Sequence, residues 1–120
     1  MYPSGRWRGY WEQPGWGRQA MHDLILRFAD GCISGSGHDC IGLFTFEGRY
    51  DPQGGVTLRK QYLGRHQVLY VGSYDGEGTI FGHWSISPAW TGPFALRLDH
   101  EEAAEDAPIA RISAVPVADE

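Results

Sequence analysis

The sequence predicts an all-β fold, a closed antiparallel up-and-down barrel of about eight strands, and three observations support it. Short runs rich in aromatic and β-branched residues recur at regular intervals, separated by glycine, proline and aspartate turn signals. No window of about 11 residues keeps the helical period. Consecutive strands joined by short turns expose two sheet edges unless the sheet closes on itself. A two-sheet sandwich is the alternative.

The first half of the chain is predicted to contain four of these strands. Residues 5–13, "GRWRGYWEQ", form the first, and "PGWGR" makes the loop after it. Residues 20–28 form the second, with the even-numbered residues from His22 to Phe28 on one face. A "DG" hairpin turn follows at 30–31. The third and fourth predicted strands are residues 32–37 and 41–50.

The second half is predicted to repeat the pattern of strand and turn. The turn clusters are "DPQGG", "DGEG" and "PAWTG". The predicted strands between them are residues 56–62, 66–74, 79–87 and 93–100. Residues 1–100 therefore form one predicted barrel domain. Residues 101–120 begin with the acidic "EEAAEDA" and are predicted to be a linker followed by a further strand or a tail.

Charge and composition argue against several classes of partner. The net charge is -5 and no Lys/Arg cluster is present, which disfavours nucleic acid and anionic membranes. The N-terminal residues show no basic-then-apolar signal peptide, and no run reaches transmembrane length. We therefore predict a cytoplasmic protein that is not bound to a membrane.

The two cysteines, Cys32 and Cys40, are predicted to be free thiols. An extended segment between them would span about 26 Å at roughly 3.3 Å per residue, too far for a disulfide. "HDC" at 38–40 holds three residue types that bind metals, but an Asx turn at Asp39 explains it better than a metal site. Cys40 and His38 lack a third group to form a catalytic arrangement. We expect no metal and no cofactor.

The predicted hairpin over residues 56–74 has an inner face that mixes apolar and polar side chains. A three-residue loop at 62–64 pairs Lys60 with His66 and places even-numbered residues inside. A two-residue turn at 64–65 would instead place the odd-numbered residues of the second strand on the inner face. The first register is preferred because the outer face then carries four polar residues, Thr57, Arg59, Gln61 and Gln67, although it also exposes Leu69 and Val71.

The polar residues near the turn of this hairpin form the predicted ligand site. A barrel mouth is apolar below, with a few converging polar groups above. Lysine supplies charge, imidazole and phenol supply directional hydrogen bonds, and indole supplies a stacking face. The predicted ligand-binding residues are Lys60, His66, Tyr70, Trp84, Tyr50 and Tyr62. Trp16 and Trp90, both in predicted loops, are expected to close the mouth or contact a partner.

The same residues also fit a barrel without a ligand. Lys60 can extend its ammonium group to water from the rim. His66 can be solvated beside the turn, and Tyr70 can be a core residue with its hydroxyl at the surface. The residues most typical of the core are Trp7, Trp11, Phe44, Phe46 and Trp84.

The opening Gly5-Arg6-Trp7, followed by an eight-stranded meander, resembles the calycin superfamily of lipocalins, fatty-acid-binding proteins and avidins. The resemblance implies an avidin- or lipocalin-like barrel that holds a ligand. It also implies that Trp7 closes the barrel floor and that Arg97, or else Arg111, packs over it. "RGYWEQ" lacks the Asn and Ser with which avidins contact biotin. Arg97 is not followed by the Tyr of the fatty-acid-binding pattern, so the ligand stays unspecified.

Three functions are therefore expected from the sequence. The first is binding of a small hydrophobic or aromatic molecule without catalysis. The second is a small barrel enzyme of the isomerase or cyclase type, with His66 or Lys60 as base and Tyr62 or Tyr70 as acid. The third is a protein-interaction module with a filled core, for which association into a homo-oligomer through the sheet faces would be typical.

Overall fold

The computed structural model describes residues 2–99 and contains eight antiparallel strands. Their bounds are β1 Gly5–Gln13, β2 Gly17–Ala29, β3 Cys32–His38, β4 Leu43–Tyr50, β5 Gly55–Tyr62, β6 Gln67–Tyr74, β7 Thr79–Ser87 and β8 Trp90–Leu98. No helix occurs within this range. The predictions for residues 101–120 and for Arg111 lie outside the described residues.

The sheet closes because β1 pairs with both β2 and β8. Trp7 lies opposite Leu98 and Trp11 lies opposite Phe94 across the closing pair. Each strand is therefore hydrogen-bonded on both sides, and the barrel leaves no long unpaired edge. The predicted closed up-and-down barrel is confirmed, and the sandwich alternative is wrong.

The starts of β2 and β8 differ from the prediction by three residues, more than those of the other strands. Trp90 is the first residue of β8, where the sequence predicted a loop that lasted until Gly92. β2 begins at Gly17 and contains a bulge at Asp23, whose φ is 52°. β2 has one residue more than β1 between Met21 and Leu24, so both of these side chains face the core. His22 is exposed as a result, and the predicted alternation from His22 is wrong, because a bulge reverses the faces.

Glycine allows β6 and β7 to approach closely in the middle of the sheet. Gly72 and Gly82 lie directly opposite each other. A Cβ on Gly82 would collide with the backbone of Val71 and Gly72, and one on Gly72 would also lie 3.1 Å from the ring of Phe94. The absence of side chains at this pair lets Phe94 fill the interior beside them.

Aromatic rings close one end of the barrel, which we call the base. The ring of Tyr2 lies 4.2 Å from that of Tyr50, 4.5 Å from that of Tyr74 and 5.3 Å from that of Phe28. Trp7 is buried beside them, 5.7 Å from Phe28, and its indole N–H donates to the backbone oxygen of Pro3. The other end, which we call the mouth, is formed by the turns that join β1 to β2, β3 to β4, β5 to β6 and β7 to β8.

Two predicted positions are corrected by this arrangement. Tyr50 is the last residue of β4 and lies at the base, at the opposite end from the mouth residues with which it was grouped. Arg97 follows the buried Leu96 in β8 and therefore points to the outer face, where it is exposed. The packing of Arg97 over Trp7 that the resemblance implies does not occur.

The hairpin of β5 and β6 has the predicted faces but a different register. Lys60 pairs with Val68 rather than with His66, because the loop consists of residues 63–65. The N–H of Arg65 donates to the oxygen of Tyr62, and Gly64 has a φ of 70° at the third position of this turn, as a type II turn requires. A slip of two residues leaves the side chains of β5 and β6 on their predicted faces, since strand faces alternate with period two. His66, predicted on the inner face, precedes β6 and is exposed. Leu69 and Val71 are exposed outside, at 45% and 49%.

Candidate functional site

A cavity of about 270 Å³ opens at the mouth of the barrel. Its walls are the side chains of Trp11, Tyr62, Val68, Tyr70, Trp84 and Ile86. Its rim is formed by Gln13, Trp16, Ile41, His66 and Trp90. Most of these residues are apolar or aromatic and come from alternate positions of β1, β5, β6 and β7. A larger groove of about 640 Å³ lies on the outer surface of β1 and β2, but it is shallow and lined largely by exposed charged residues.

A completely buried lysine contacts two residues of the cavity wall, Tyr62 and Tyr70. Lys60 has no exposed surface, and its Nζ lies 2.7 Å from Asp39 Oδ2 and 3.2 Å from the hydroxyl oxygen of Tyr70. The inward parity of Lys60 on β5 places the ammonium group inside the barrel rather than at its rim. The explanation in which Lys60 extends to water is therefore wrong. A buried ammonium group requires a counter-charge, and Asp39 supplies it.

Asp39 is the centre of the hydrogen-bond network, although the sequence predicted only an Asx turn there. That turn is confirmed, since Oδ1 accepts the N–H of Ile41 at 3.0 Å. The other oxygen, Oδ2, accepts from Lys60, from the hydroxyl of Tyr62 at 2.7 Å and from the indole N–H of Trp11 at 3.1 Å. The loop between β3 and β4 thus folds inward over the mouth, and the side chain of Asp39 is fully buried.

Aromatic rings surround the ammonium group on its remaining sides. Nζ of Lys60 lies 4.3 Å from the ring centre of Phe44, 4.7 Å from that of Tyr62 and 5.4 Å from that of Tyr70. The negative faces of these rings attract the cation and partly replace the water that it has lost. We call Lys60, Asp39, Trp11, Tyr62 and Tyr70 the polar cluster.

Burial and pairing shift the pKa values within the polar cluster in opposite directions. Burial lowers the pKa of Lys60 from its ordinary 10.5 to about 8, although the Asp39 carboxylate opposes the shift. Burial alone would raise the pKa of Asp39, but Lys60 and the hydrogen bonds from Lys60, Tyr62 and Ile41 outweigh it and lower that pKa. Burial, and then Asp39, raises the pKa of both Tyr62 and Tyr70, which keeps both phenols protonated.

The lowered pKa of Lys60 can be measured directly, because Lys60 is the only lysine in the chain. Protein labelled with ¹³C-lysine gives one lysine Cε signal in an NMR spectrum. We expect its chemical shift to titrate with a midpoint near pH 8 in the folded protein. The same signal in urea is expected to titrate near pH 10.4, the value for an exposed lysine. A folded-state midpoint above 10 would show that Asp39 fully offsets the penalty of burial and would contradict the lowered pKa.

The structure brings together only part of the predicted site. Tyr62, Tyr70 and Trp84 line the cavity, and Lys60 lies behind this wall, hydrogen-bonded to Tyr70. His66 is exposed in the turn and reaches only the rim, where its ring lies 5.2 Å from that of Tyr62. The predicted pairing of Lys60 with His66 is therefore wrong.

The two predicted loop tryptophans both lie at the rim. Trp16 is 68% exposed and Trp90 is 48% exposed, while Trp84 inside is buried and its indole N–H donates to the oxygen of Glu12. Trp11, expected only as a core residue, contributes a hydrogen bond to the polar cluster as well. The role of Asp39 as the counter-charge of Lys60 was not predicted. A lysine at an inward-facing strand position does indicate that an acidic side chain must lie near it.

The remaining titratable groups of residues 2–99 form no metal-binding arrangement of three His, Cys, Asp or Glu side chains. Cys32 and Cys40 are both free and exposed, as predicted. In the same range no helix combines the length and apolar character needed to cross a membrane.

Comparisons of the sequence with models of known protein families and with curated proteins give no match. The cavity and the polar cluster are therefore interpreted from their own geometry and chemistry.

Proposed function

We propose that the protein binds a small apolar or aromatic molecule in the mouth of the barrel, without chemical turnover. The observation that carries this proposal is an aromatic-walled cavity of about 270 Å³ that ends at a buried polar cluster. Ligand sites typically combine mainly apolar walls with a few converging polar groups. The volume is slightly below the roughly 300–1,000 Å³ typical of drug-sized ligands, so we expect a molecule of one or two rings.

The shape of the barrel supports the same proposal. Aromatic rings close the base, so a ligand enters only from the mouth, where Trp16 and Trp90 stand exposed at the rim. The closed eight-stranded barrel with a buried Trp7 near its base is compatible with the calycin resemblance, in which such barrels hold ligands. Eight strands enclose an interior just wide enough for side chains or one small ligand.

The first test is native mass spectrometry of the protein as purified from cells, beside a denatured control. We expect an added mass on the native protein that disappears on denaturation. The same spectrum reports whether copies of the barrel associate. The proposal would be contradicted if the native mass equals that of the protein alone and if added one- and two-ring aromatic compounds do not bind.

A larger side chain that fills the cavity is expected to abolish the added mass in the native spectrum. Val68 is 6% exposed and lines the cavity, so the indole of Val68→Trp would occupy the space of the ligand. We expect binding at least about tenfold weaker, the equivalent of roughly 1.4 kcal/mol.

The matched control is Val71→Trp, the same substitution on the outer face of the same strand, where Val71 is 49% exposed. It should bind like the wild type. Both variants are compared only if their tryptophan fluorescence shows that they are folded. If folded Val71→Trp loses the ligand as fully as folded Val68→Trp, the cavity is not the site.

A further inference from the structure

The two buried charges next to the cavity wall balance each other. The side chains of Lys60 and Asp39 are both fully buried and lie 2.7 Å apart. None of the residues that line the cavity is a lysine, arginine, aspartate or glutamate, and His66 lies exposed at the rim. An anionic ligand would have to separate Lys60 from its carboxylate, which would leave a buried charge unpaired. The site therefore favours an uncharged ligand.

Three of the four hydrogen-bond donors on the walls of the cavity are already used within the protein. The indole N–H of Trp11 and the hydroxyl of Tyr62 donate to Asp39, and the indole N–H of Trp84 donates to a backbone oxygen. Lys60 donates to Asp39 and to the hydroxyl oxygen of Tyr70, and aromatic rings flank its ammonium group. The two indoles and the hydroxyl of Tyr62 therefore have no proton left to donate to a ligand without breaking an existing bond. Lys60 keeps one N–H, but it is not among the residues that line the cavity.

The hydroxyl of Tyr70 differs from the other donors. Its oxygen accepts a hydrogen bond from Lys60, so its own proton is directed elsewhere, and among residues 2–99 that proton has no acceptor. Tyr70 is 1% exposed and its side chain lines the cavity. Buried hydroxyl groups are nearly always hydrogen-bonded, so the cavity must supply the acceptor. The bond from Lys60 also polarises the phenol and strengthens it as a donor.

We propose that the ligand is an uncharged one- or two-ring molecule with a hydrogen-bond acceptor, such as a carbonyl oxygen, that receives the hydroxyl proton of Tyr70. This inference rests on the proposed function and narrows the class of ligand. The aromatic walls hold the ring, and Tyr70 fixes its orientation by a single hydrogen bond. An ordered water molecule is the competing acceptor, and a probe without an acceptor atom distinguishes the two.

The test uses three probes of similar size: 1-indanone, which carries a carbonyl, indane, which has no acceptor, and benzoate, which is anionic. Dissociation constants are measured from the indole N–H signals in ¹H–¹⁵N NMR spectra of the wild type and of Tyr70→Phe. We expect Tyr70→Phe to weaken binding of 1-indanone by about three- to tenfold, in line with one hydrogen bond, and to leave indane unchanged. Comparing the two proteins with each probe cancels the different hydration of the probes.

Tyr50→Phe is the matched control, because Tyr50 lies at the base, away from the cavity. It should bind both bicyclic probes like the wild type. We also expect benzoate to bind more weakly than 1-indanone.

Each contrary result has a distinct meaning. If Tyr70→Phe changes the affinity for 1-indanone and indane equally, the acceptor is water and this inference is overturned, while the proposed binding function stands. If benzoate binds most tightly, the neutral character of the ligand is wrong. If none of the probes binds and the native protein carries no added mass, both the binding function and this inference fail.

Discussion

Asp39→Ala is expected to destabilise the barrel by about 3–5 kcal/mol, because it removes one partner of a buried ion pair. Lys60 would remain inside the barrel with no counter-charge, and Tyr62 and Trp11 would lose their acceptor. A domain of this size has a free energy of unfolding of only about 5–15 kcal/mol. The variant should therefore unfold at a much lower urea concentration, as measured by tryptophan fluorescence.

Asp75→Ala is the matched control for the hydrogen bond that Asp39 makes to the backbone of its own turn. Asp75 is exposed in the turn between β6 and β7, and its Oδ1 accepts the N–H groups of Glu77 and Thr79. Its loss should cost only about 1 kcal/mol. Equal losses in the two variants would mean that Asp39 acts only as a turn residue and that the buried ion pair contributes little.

A double replacement separates charge from packing. Asp39→Ala combined with Lys60→Met removes both charges and keeps an unbranched apolar chain at position 60. Replacement of a buried ion pair by apolar groups is often neutral. We expect the double variant to be more stable than Asp39→Ala alone. A further loss of stability would indicate that Lys60 stabilises the fold through other contacts.

Stability is expected to rise by about 2 kcal/mol between about pH 7 and 9.5. The pKa of Lys60 is lowered from 10.5 to about 8 on folding. Above pH 8 the folded protein has released this proton while the unfolded chain still binds it. The unfolded state then holds more protons, so the free energy of unfolding increases with pH until about 10.5. Urea unfolding at a series of pH values measures the slope.

Two variants make this pH dependence specific to Lys60. Lys60→Met should lack the rise. Cys40→Ser is introduced into both the wild type and Lys60→Met. It removes a contribution that lowers stability as the pH rises, because burial and the nearby Asp39 raise the pKa of the Cys40 thiol. Measurements stop below pH 10, where the raised pKa values of Tyr62 and Tyr70 begin to lower stability. A flat profile in the protein that retains Lys60 would contradict the lowered pKa.

The strands, their order and the faces of the central hairpin were predictable because they depend on local patterns. Because strand faces alternate with period two, a register error of two residues leaves Leu58, Lys60 and Tyr70 on the inner face. A turn shifted by one residue would have moved Tyr70 to the outer face. β2 shows the limit of this reasoning. One extra residue at Asp23 reverses the alternation of faces on either side of it. No local sequence pattern indicated this bulge.

Local sequence patterns are enough to predict an eight-stranded barrel with a lysine and a tyrosine on its inner surface, since period-two alternation and turn residues act over a few positions. The contacts of these two side chains depend on residues far away in the sequence, so they follow only from the folded arrangement. Asp39 meets Lys60, Tyr62 and Trp11 across separations of 21, 23 and 28 residues. Closure of the sheet, together with the inward fold of the loop between β3 and β4, brings them together. These contacts balance the charge of Lys60, and they leave the hydroxyl proton of Tyr70 without an acceptor among residues 2–99.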